Sequence, residues 1–281
     1  MRLPISEFKL QIVALALALA TVTPGAQENT VDARRRNLDQ VLDLYVRDGY
    51  VYYRALKQDR RLLDAYLNGV ATASIDSASR DEQAAFWLNA YNALILRTVI
   101  DHAPIPQRSR EYPARSIRQI PGAFERLTHR VAGRTVTLDQ IEQTILPTFK
   151  DPRMYFALGR GSVGGGRLRS EAFTAAGLEG QLAEVANECV TRAQCVAIDR
   201  GQNKVMVSSI FSWREKEFSA AYADKAAPAF SSRSPIERAV LAFVGPRLLT
   251  TERDFLAANE FRVEYAPFDW SLNDLTGRGG Q

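Results

Sequence analysis

The spacing of apolar residues predicts a mainly helical chain. In the stretch 33–48, apolar side chains recur at i, i+3, i+4 and i+7 from Leu38 to Tyr45, which is typical of one face of a helix. Residues 60–70 repeat this pattern, and residues 81–101 are apolar nearly all round. We therefore expect the 81–101 helix to be the buried central one. Further helices are predicted over residues 138–146, 170–190, 208–218, 232–244 and 251–258.

Short apolar runs predict a few strands between these helices. They occupy residues 154–158, 205–207 and 261–265, and residues 130–136 form a small hairpin around a glycine. Because helices and strands mix without regular alternation, we expect an α+β fold. It should be a mainly helical single domain, with a central buried helix and short strands that form a small sheet.

The N-terminal residues predict export. Basic residues precede Leu10–Val22, an almost unbroken apolar run, and small residues follow it, so cleavage is expected after Ala20 or after Ala26. The run is shorter than the about 20 residues that a membrane span needs, although an uncleaved anchor is the alternative. We expect a secreted or periplasmic protein with no integral membrane segment after signal removal.

Charge and cysteine content narrow the function classes. The chain has 36 basic and 32 acidic residues, a formal charge of +4, and the charges are spread along it. This indicates a solvated surface, so no nucleic-acid partner is expected. Cys189 and Cys195 are close in sequence, which favours a disulfide in an oxidising compartment, the alternative being two separate buried thiols. His102 and His129 lack zinc-ligand spacing, so neither a metal nor a cofactor is expected.

The glycine-rich loop Gly159–Gly166 matches G-x-G-x-x-G at its start, after a predicted strand and before a predicted helix. A dinucleotide site is nevertheless not expected, because no βαβ unit surrounds the loop. A serine nucleophile at Ser162 is also disfavoured, since Arg160 stands where the nucleophile elbow needs glycine. The loop could bind an anion through its backbone N–H groups, but a flexible surface turn is the simpler interpretation.

Polar side chains on the central helix are the second candidate. Asn89 and Asn92 stand three residues apart, so both amides share roughly one helix face. They are interpreted first as structural hydrogen-bonding groups and second as residues that line a cleft. Glu142 poses the same choice, between a solvated carboxylate and a buried partner for an arginine.

These stretches together resemble the DUF547 family, a family of unknown function. The resemblance runs from about Val41 to Asp274, so a signal of residues 1–26 precedes a DUF547-like domain of residues 27–281 with its core at 41–274. The matching stretches are YVRDGYVYYRAL (45–56), FWLNAYNALIL (86–96), SIRQI (116–120), LDQIEQTIL (138–146), DPRMYFAL (151–158), VSSIFSW (207–213) and FDWSLND (268–274).

The chain departs from the family pattern at its reactive positions. The resemblance pairs Tyr155 and Gln143 with family histidines, and Arg160 and Gly165 with family cysteines. A family aspartate is replaced by Tyr52, and a proline by Gly166. Tyrosine and arginine do not exchange protons near neutral pH, so these departures imply a site that was never catalytic or has been lost here.

The leading functional hypothesis is therefore an exported, non-catalytic binding or interaction protein with a cleft beside the glycine-rich loop. The alternative is an envelope hydrolase with a cleft between the central helix and the loop. The ligand and partners are unknown. Weak catalytic candidates are Glu142 and Tyr155, and the candidate binding residues are Asn89, Tyr91, Asn92, Arg153, Arg160 and Ser162.

Overall fold

The computed structural model describes the backbone of residues 24–278 and the side chains of residues 34–276. The α-helices are α1 (Pro24–Tyr45), α2 (Tyr53–Gln58), α3 (Arg61–Ala71), α4 (Arg80–His102), α5 (Leu138–Gln140), α6 (Leu178–Thr191), α7 (Ser209–Trp213), α8 (Glu215–Tyr222), α9 (Pro235–Val244) and α10 (Thr250–Ala258). Short 3-10 helices occupy Ile117–Gln119, Leu146–Phe149, Pro152–Phe156, Ala223–Lys225, Pro228–Phe230, Gly245–Arg247 and Leu275–Arg278.

Helix α4 is the buried central helix that its composition predicts. It begins with a capping box, in which the hydroxyl of Ser79 accepts from the N–H of Glu82 and the Glu82 carboxylate accepts from the N–H of Ser79. It ends at His102 because Ala103, before a proline, takes an extended conformation. Buried side chains line α4 on all sides from Ala84 to Ile100, and the apolar ones belong to one buried cluster with residues from the other helices.

The strands form two hairpins and one small sheet. Strands β1 (Val46–Arg47) and β2 (Tyr50–Val51) pair antiparallel, as do β3 (Thr128–Val131) and β4 (Arg134–Thr137). In the third sheet, β6 (Lys204–Ser208) pairs antiparallel with β5 (Val196–Asp199) and parallel with β7 (Arg262–Ala266). This mixture confirms the expected mainly helical α+β class.

A short C-terminal segment, residues 269–274, crosses the glycine-rich loop; we call it the C-terminal strap. The N–H of Val163 donates to the carbonyl of Ser271 at 2.9 Å, and the N–H of Gly164 donates to that of Asp269 at 2.8 Å. The strap also reaches the first hairpin, because the N–H of Val51 donates to the carbonyl of Asn273 at 2.8 Å. It therefore fastens the loop to the N-terminal part of the fold.

One predicted element near the loop is wrong in type, and a second, a helix as predicted, changes its hydrogen-bonding pattern along its length. Residues 154–158 are not a strand, because Pro152–Phe156 is a 3-10 helix whose start is capped by the carboxylate of Asp151. A short apolar run does not by itself distinguish a buried strand from a buried helical turn. The predicted helix 138–146 is α-helical only to Gln140, then becomes a π-helical turn over Ile141–Ile145. Thr137 caps its start as expected.

The boundaries of two helices, α1 and α6, differ from those that the spacing of apolar residues predicts. Helix α1 ends at Tyr45 because Asp48 and Gly49, both with positive φ, form the turn of the first hairpin. Helix α6 begins at Leu178 and not at Ser170, since the side chain of Thr174 accepts from Gly177 in a turn before it. The predicted disulfide between Cys189 and Cys195 is present and ties the end of α6 to the start of β5.

The predicted export segment, including Leu10–Val22, lies outside the described residues, and its role stays a prediction. Within residues 24–278, none of the helices has the length and apolar character that crossing a membrane requires.

Candidate functional site

Glu142 is buried at the centre of a group of ionised side chains. The π-helical turn points it inward, where the hydroxyl of Tyr91 donates to Oε2 at 3.0 Å. Arg160 donates to both oxygens, from Nε at 3.3 Å and from Nη2 at 2.7 Å. Arg214 donates from Nη2 to Oε1 at 2.9 Å. Each carboxylate oxygen thus has two donors, so its hydrogen-bonding capacity is filled.

The charges in this group explain the protonation state of Glu142. Burial acts to raise the pKa of the carboxyl, but Arg160 and then Arg214 outweigh it and hold the pKa at about 2. A second carboxylate, Glu217, lies 3.7 Å from Nη1 of Arg214 and balances the second guanidinium. Glu142 is therefore ionised throughout the physiological pH range.

Tyr155 is also buried and packs against the same group. The guanidinium of Arg214 stacks 4.4 Å from the centre of its ring, and its hydroxyl donates to Glu217 at 3.3 Å. Burial raises the pKa of Tyr155 well above its ordinary value, although Arg214 opposes the shift. Tyr155 therefore keeps its proton near neutral pH.

The positions of the replaced family residues converge here. Gln143 accepts from Nη1 of Arg214 at 2.7 Å, and Arg160 donates to the carbonyl of Tyr155 at 2.9 Å. Gln143, Tyr155 and Arg160 lie within one short stretch of the chain and gather around the buried carboxylate of Glu142. Tyr52 does not belong to this group; it lies between the first hairpin and α2 and is 37% exposed.

The glycine-rich loop is buried, which corrects its interpretation as a flexible surface turn. The side chains of Arg160 and Ser162 are almost fully buried, and Arg160 has a positive φ of 50°. The backbone N–H of each residue from Ser162 to Gly166 donates to a carbonyl of the chain. An anion therefore has no free N–H group in this stretch, so the anion-binding alternative is not favoured either.

The packing of the loop leaves no room for side chains at positions 165 and 166. A Cβ atom at Gly165 would overlap the carbonyl oxygen of Gly159, and one at Gly166 would overlap that of Phe156. The N–H of Gly166 donates to the carbonyl of Leu158 at 2.9 Å and holds this close approach. A cysteine at 165 and a proline at 166 are therefore incompatible with the loop as it is folded here.

Both helix asparagines bind backbone groups. Asn89 donates to the carbonyl of Phe173 and accepts from its N–H, both at 2.8 Å. Asn92 donates to the carbonyl of Ala157 at 2.9 Å and accepts from the N–H of Gly159 at 3.0 Å. These bonds fit the structural interpretation, and a role in ligand binding stays a prediction.

We expect Asn89→Ala and Asn92→Ala each to lower the free energy of unfolding by about 1–3 kcal/mol, because buried backbone groups lose their partners. Urea denaturation measures this. Asn68→Ala is the matched control, since Asn68 is exposed on α3 and its loss should change stability by less than about 0.5 kcal/mol. Unchanged stability in both buried variants would contradict the structural role.

Arg153 and Ser162 lie apart from Glu142. Arg153 binds Asp151 at 2.7 Å and Glu179 with two bonds at 2.7 Å, which joins the 3-10 helix to α6. The hydroxyl of Ser162 has no hydrogen-bond partner among the described residues, and neither does Nε2 of His129, so the two are not bonded to each other. Ser162 thus lacks the base that a serine nucleophile needs.

A polar cleft of about 270 Å³ opens beside the C-terminal end of the glycine-rich loop. Its walls are the first hairpin, residues 167–171 and Glu188. Arg167 pairs with Asp48 at 2.7 Å and with Glu188 at 3.0 Å. Arg169, which also lines the cleft, pairs with Glu171 and Glu184, so both arginine charges are neutralised by the chain itself.

Sequence reasoning did not identify Arg214 or Glu217. Arg214 directly follows the VSSIFSW stretch that carries the resemblance, which is the one signal that could have pointed to it. Within the described residues, no group of three or more His, Cys, Asp and Glu side chains is arranged to hold a metal ion.

One of three comparisons with known proteins supports the resemblance that the sequence motifs indicate. The family model described as "Protein of unknown function, DUF547" matches residues 75–190. No curated protein matches the chain, and no solved structure matches it. The matched segment includes α4, Glu142 and the glycine-rich loop, but not Arg214. The resemblance is therefore confirmed over residues 75–190, where the chain matches the DUF547 family model.

Proposed function

We propose that this protein is an exported, non-catalytic binding module of the DUF547 family. The observation that carries the proposal is the state of Glu142, whose two oxygens accept from Tyr91, Arg160 and Arg214. One of these donors, Arg160, occupies a position where the family pattern has a cysteine. In this chain, the position that the resemblance pairs with a reactive residue is part of the packed interior.

The available groups do not support acid–base or thiol chemistry at this centre. A general base needs a free lone pair and a pKa near the working pH, whereas the Glu142 carboxylate is saturated and its pKa is about 2. Tyr155 holds its proton because burial raises its pKa. The two cysteines of the chain are joined to each other, so neither offers a thiolate.

The hydrolase alternative would need a cleft at which Asn89, Asn92, Glu142 and Tyr155 meet. The polar cleft beside the loop is lined by none of these four residues. Both asparagine amides are engaged with the backbone. The contacts therefore favour the binding module over the hydrolase.

The test is a hydrolase screen on the exported protein with ester, amide and glycoside substrates. Each assay is run with and without iodoacetamide and with and without a chelator. We expect no turnover that either reagent abolishes, because the loop offers neither a thiolate nor an imidazole. N-terminal sequencing of the same material should place the mature N-terminus between Thr21 and Gln27.

If any turnover appears, Glu217→Gln tests whether it arises from the Glu142 group. Glu217 belongs to this group but is less buried than Glu142. Turnover that iodoacetamide or the chelator abolishes, and that mutation traces to the loop, would overturn the non-catalytic proposal. Soluble protein that still begins with Met1 would contradict the predicted cleavage of the signal peptide.

A further inference from the structure

A turn enclosed by the disulfide contacts the glycine-rich loop. We call residues 189–195, which run from one bonded cysteine to the other, the disulfide turn. The guanidinium of Arg192, within this turn, donates to the carbonyl of Val163 at 3.2 Å and to that of Gly165 at 3.4 Å. One charged side chain therefore links the turn to the backbone of the loop.

Arg192 depends on the loop for its hydrogen bonds. Its side chain is half-buried, and among the described residues the guanidinium bonds only to these two carbonyls. A charged group that leaves water needs acceptors in the protein, since otherwise its burial costs free energy. The turn and the loop therefore stabilise each other through Arg192.

The disulfide fixes the position of Arg192. The N–H of Arg192 donates to the carbonyl of Cys189 at 3.1 Å, and the N–H of Cys195 donates to the carbonyl of Arg192 at 2.8 Å. The bonded cysteines stand only six positions apart, with 5.3 Å between their Cα atoms. Because so short a loop restricts the unfolded chain less than a long one does, the bond acts mainly on the local geometry of the turn.

The disulfide and the glycine-rich loop lie almost against each other. Both cysteines, Arg192 and the backbone of Gly164–Gly166 line a cavity of about 10 Å³, which is the space of one water molecule. With so little free volume between them, a displacement of the turn must also displace the loop.

The disulfide turn also contacts the second segment that serves Glu142. The N–H of Ser208 donates to the carbonyl of Cys195 at 2.8 Å, and the hydroxyl of Ser208 caps the start of α7. Arg214 directly follows α7, and Arg160 lies in the glycine-rich loop. Both arginines that neutralise Glu142 therefore come from segments that the disulfide turn holds in place.

We propose that the Cys189–Cys195 disulfide is a redox latch for the glycine-rich loop. While the bond is closed, Arg192 holds the loop shut; when the bond is reduced, the turn relaxes and the loop opens. In this reduction the S–S bond breaks and each sulfur gains one electron and one proton, which come from a dithiol that becomes a cyclic disulfide. The inference goes beyond the proposed binding function and does not depend on whether the Glu142 group is catalytic.

The test is residue-resolved amide hydrogen exchange of the full chain before and after reduction with dithiothreitol. Alkylation of the denatured protein counts the free thiols in each sample. We expect the N–H groups of Val163–Gly166 to exchange about tenfold faster or more after reduction, because the bonds to the charged Arg192 are lost. The N–H groups of the central helix α4 should keep their exchange rates.

Arg192→Ala tests the same contact with the disulfide intact. The variant should accelerate exchange in Val163–Gly166 to a similar degree, and its reduction should add little. Arg200→Ala is the matched control, because Arg200 is exposed between β5 and β6. If dithiothreitol leaves the bond intact, the double variant Cys189→Ser, Cys195→Ser replaces the reduced protein.

Three results would overturn the latch. The first is unchanged exchange of the loop in the reduced protein or in Arg192→Ala. The second is an equal acceleration in the loop and in α4, since that would be a general loss of stability. The third is an Arg192→Ala protein that responds to reduction as strongly as the wild type. A working latch together with a positive hydrolase screen would reject only the non-catalytic proposal.

Discussion

Replacing Glu142 with glutamine is expected to lower the free energy of unfolding by about 3–5 kcal/mol, because two buried guanidinium groups lose the carboxylate between them. Arg160 and Arg214 are both less than 5% exposed in their side chains, so water does not replace the lost partner. Urea denaturation of wild type and variant near neutral pH measures the difference. The matched control is Glu179→Gln, since Glu179 pairs with Arg153 but is 81% exposed, and its loss should cost less than about 1 kcal/mol.

The same variant should alter the acid sensitivity of the fold. The folded-state pKa of Glu142 is lowered from 4.5 to about 2, so its contribution is complete above pH 4.5 and is lost as the pH falls towards 2. The pKa values of other carboxyls, such as those of Glu171 and Glu179, are also lowered by their arginine partners, so these groups add to the acid sensitivity of both proteins. The informative quantity is therefore the difference between wild type and Glu142→Gln, which should shrink across this window. A difference that stays constant, or equal losses in Glu142→Gln and Glu179→Gln, would contradict the buried cluster.

A second large effect is expected at Gly166. Alanine there places a Cβ atom on the carbonyl oxygen of Phe156, and because this neighbour is backbone, the loop itself must move. We expect Gly166→Ala to lose more than about 3 kcal/mol of stability or to fail to accumulate as soluble protein. Soluble yield and denaturation in urea measure this effect.

The control for the glycine substitution is Gly180→Ala in α6, where an added Cβ atom contacts nothing within 4 Å. Alanine should there be neutral or stabilising by up to about 1 kcal/mol, since it favours helix over glycine. Wild-type stability in Gly166→Ala would show that the loop is not closed on the 3-10 helix as described. In that case, close backbone packing would not be the reason for glycine at positions 165 and 166.

The strongest patterns in the sequence predicted their elements well. The apolar character of α4, the capping signal at Thr137 and the spacing of the two cysteines each rest on local chemistry. Predictions from such patterns hold because the residues that form each pattern are neighbours along the chain. The Asp48–Gly49 pair is an equally local indication of a turn, but the apolar spacing before it extended the predicted helix to residue 48.

The environment of the loop and of Glu142 could not be predicted in this way. Glycine-rich composition is typical of surface turns, yet here the absence of side chains lets the backbone pack against Phe156 and Gly159. The inward direction of Glu142 depends on the π-helical turn, which the regular spacing of its neighbours does not reveal. The partnership with Arg214 joins residues 72 positions apart. Such contacts depend on the tertiary fold.

The C-terminal strap has a consequence for the order in which the chain folds. The hydroxyl of Tyr53 donates to the side chain of Asn273 at 2.8 Å, across a separation of 220 residues. Closing so long a loop is entropically costly and slow relative to local helix formation. The glycine-rich loop and the first hairpin therefore gain their hydrogen bonds to Asp269, Ser271 and Asn273 only after nearly the whole chain has been synthesised.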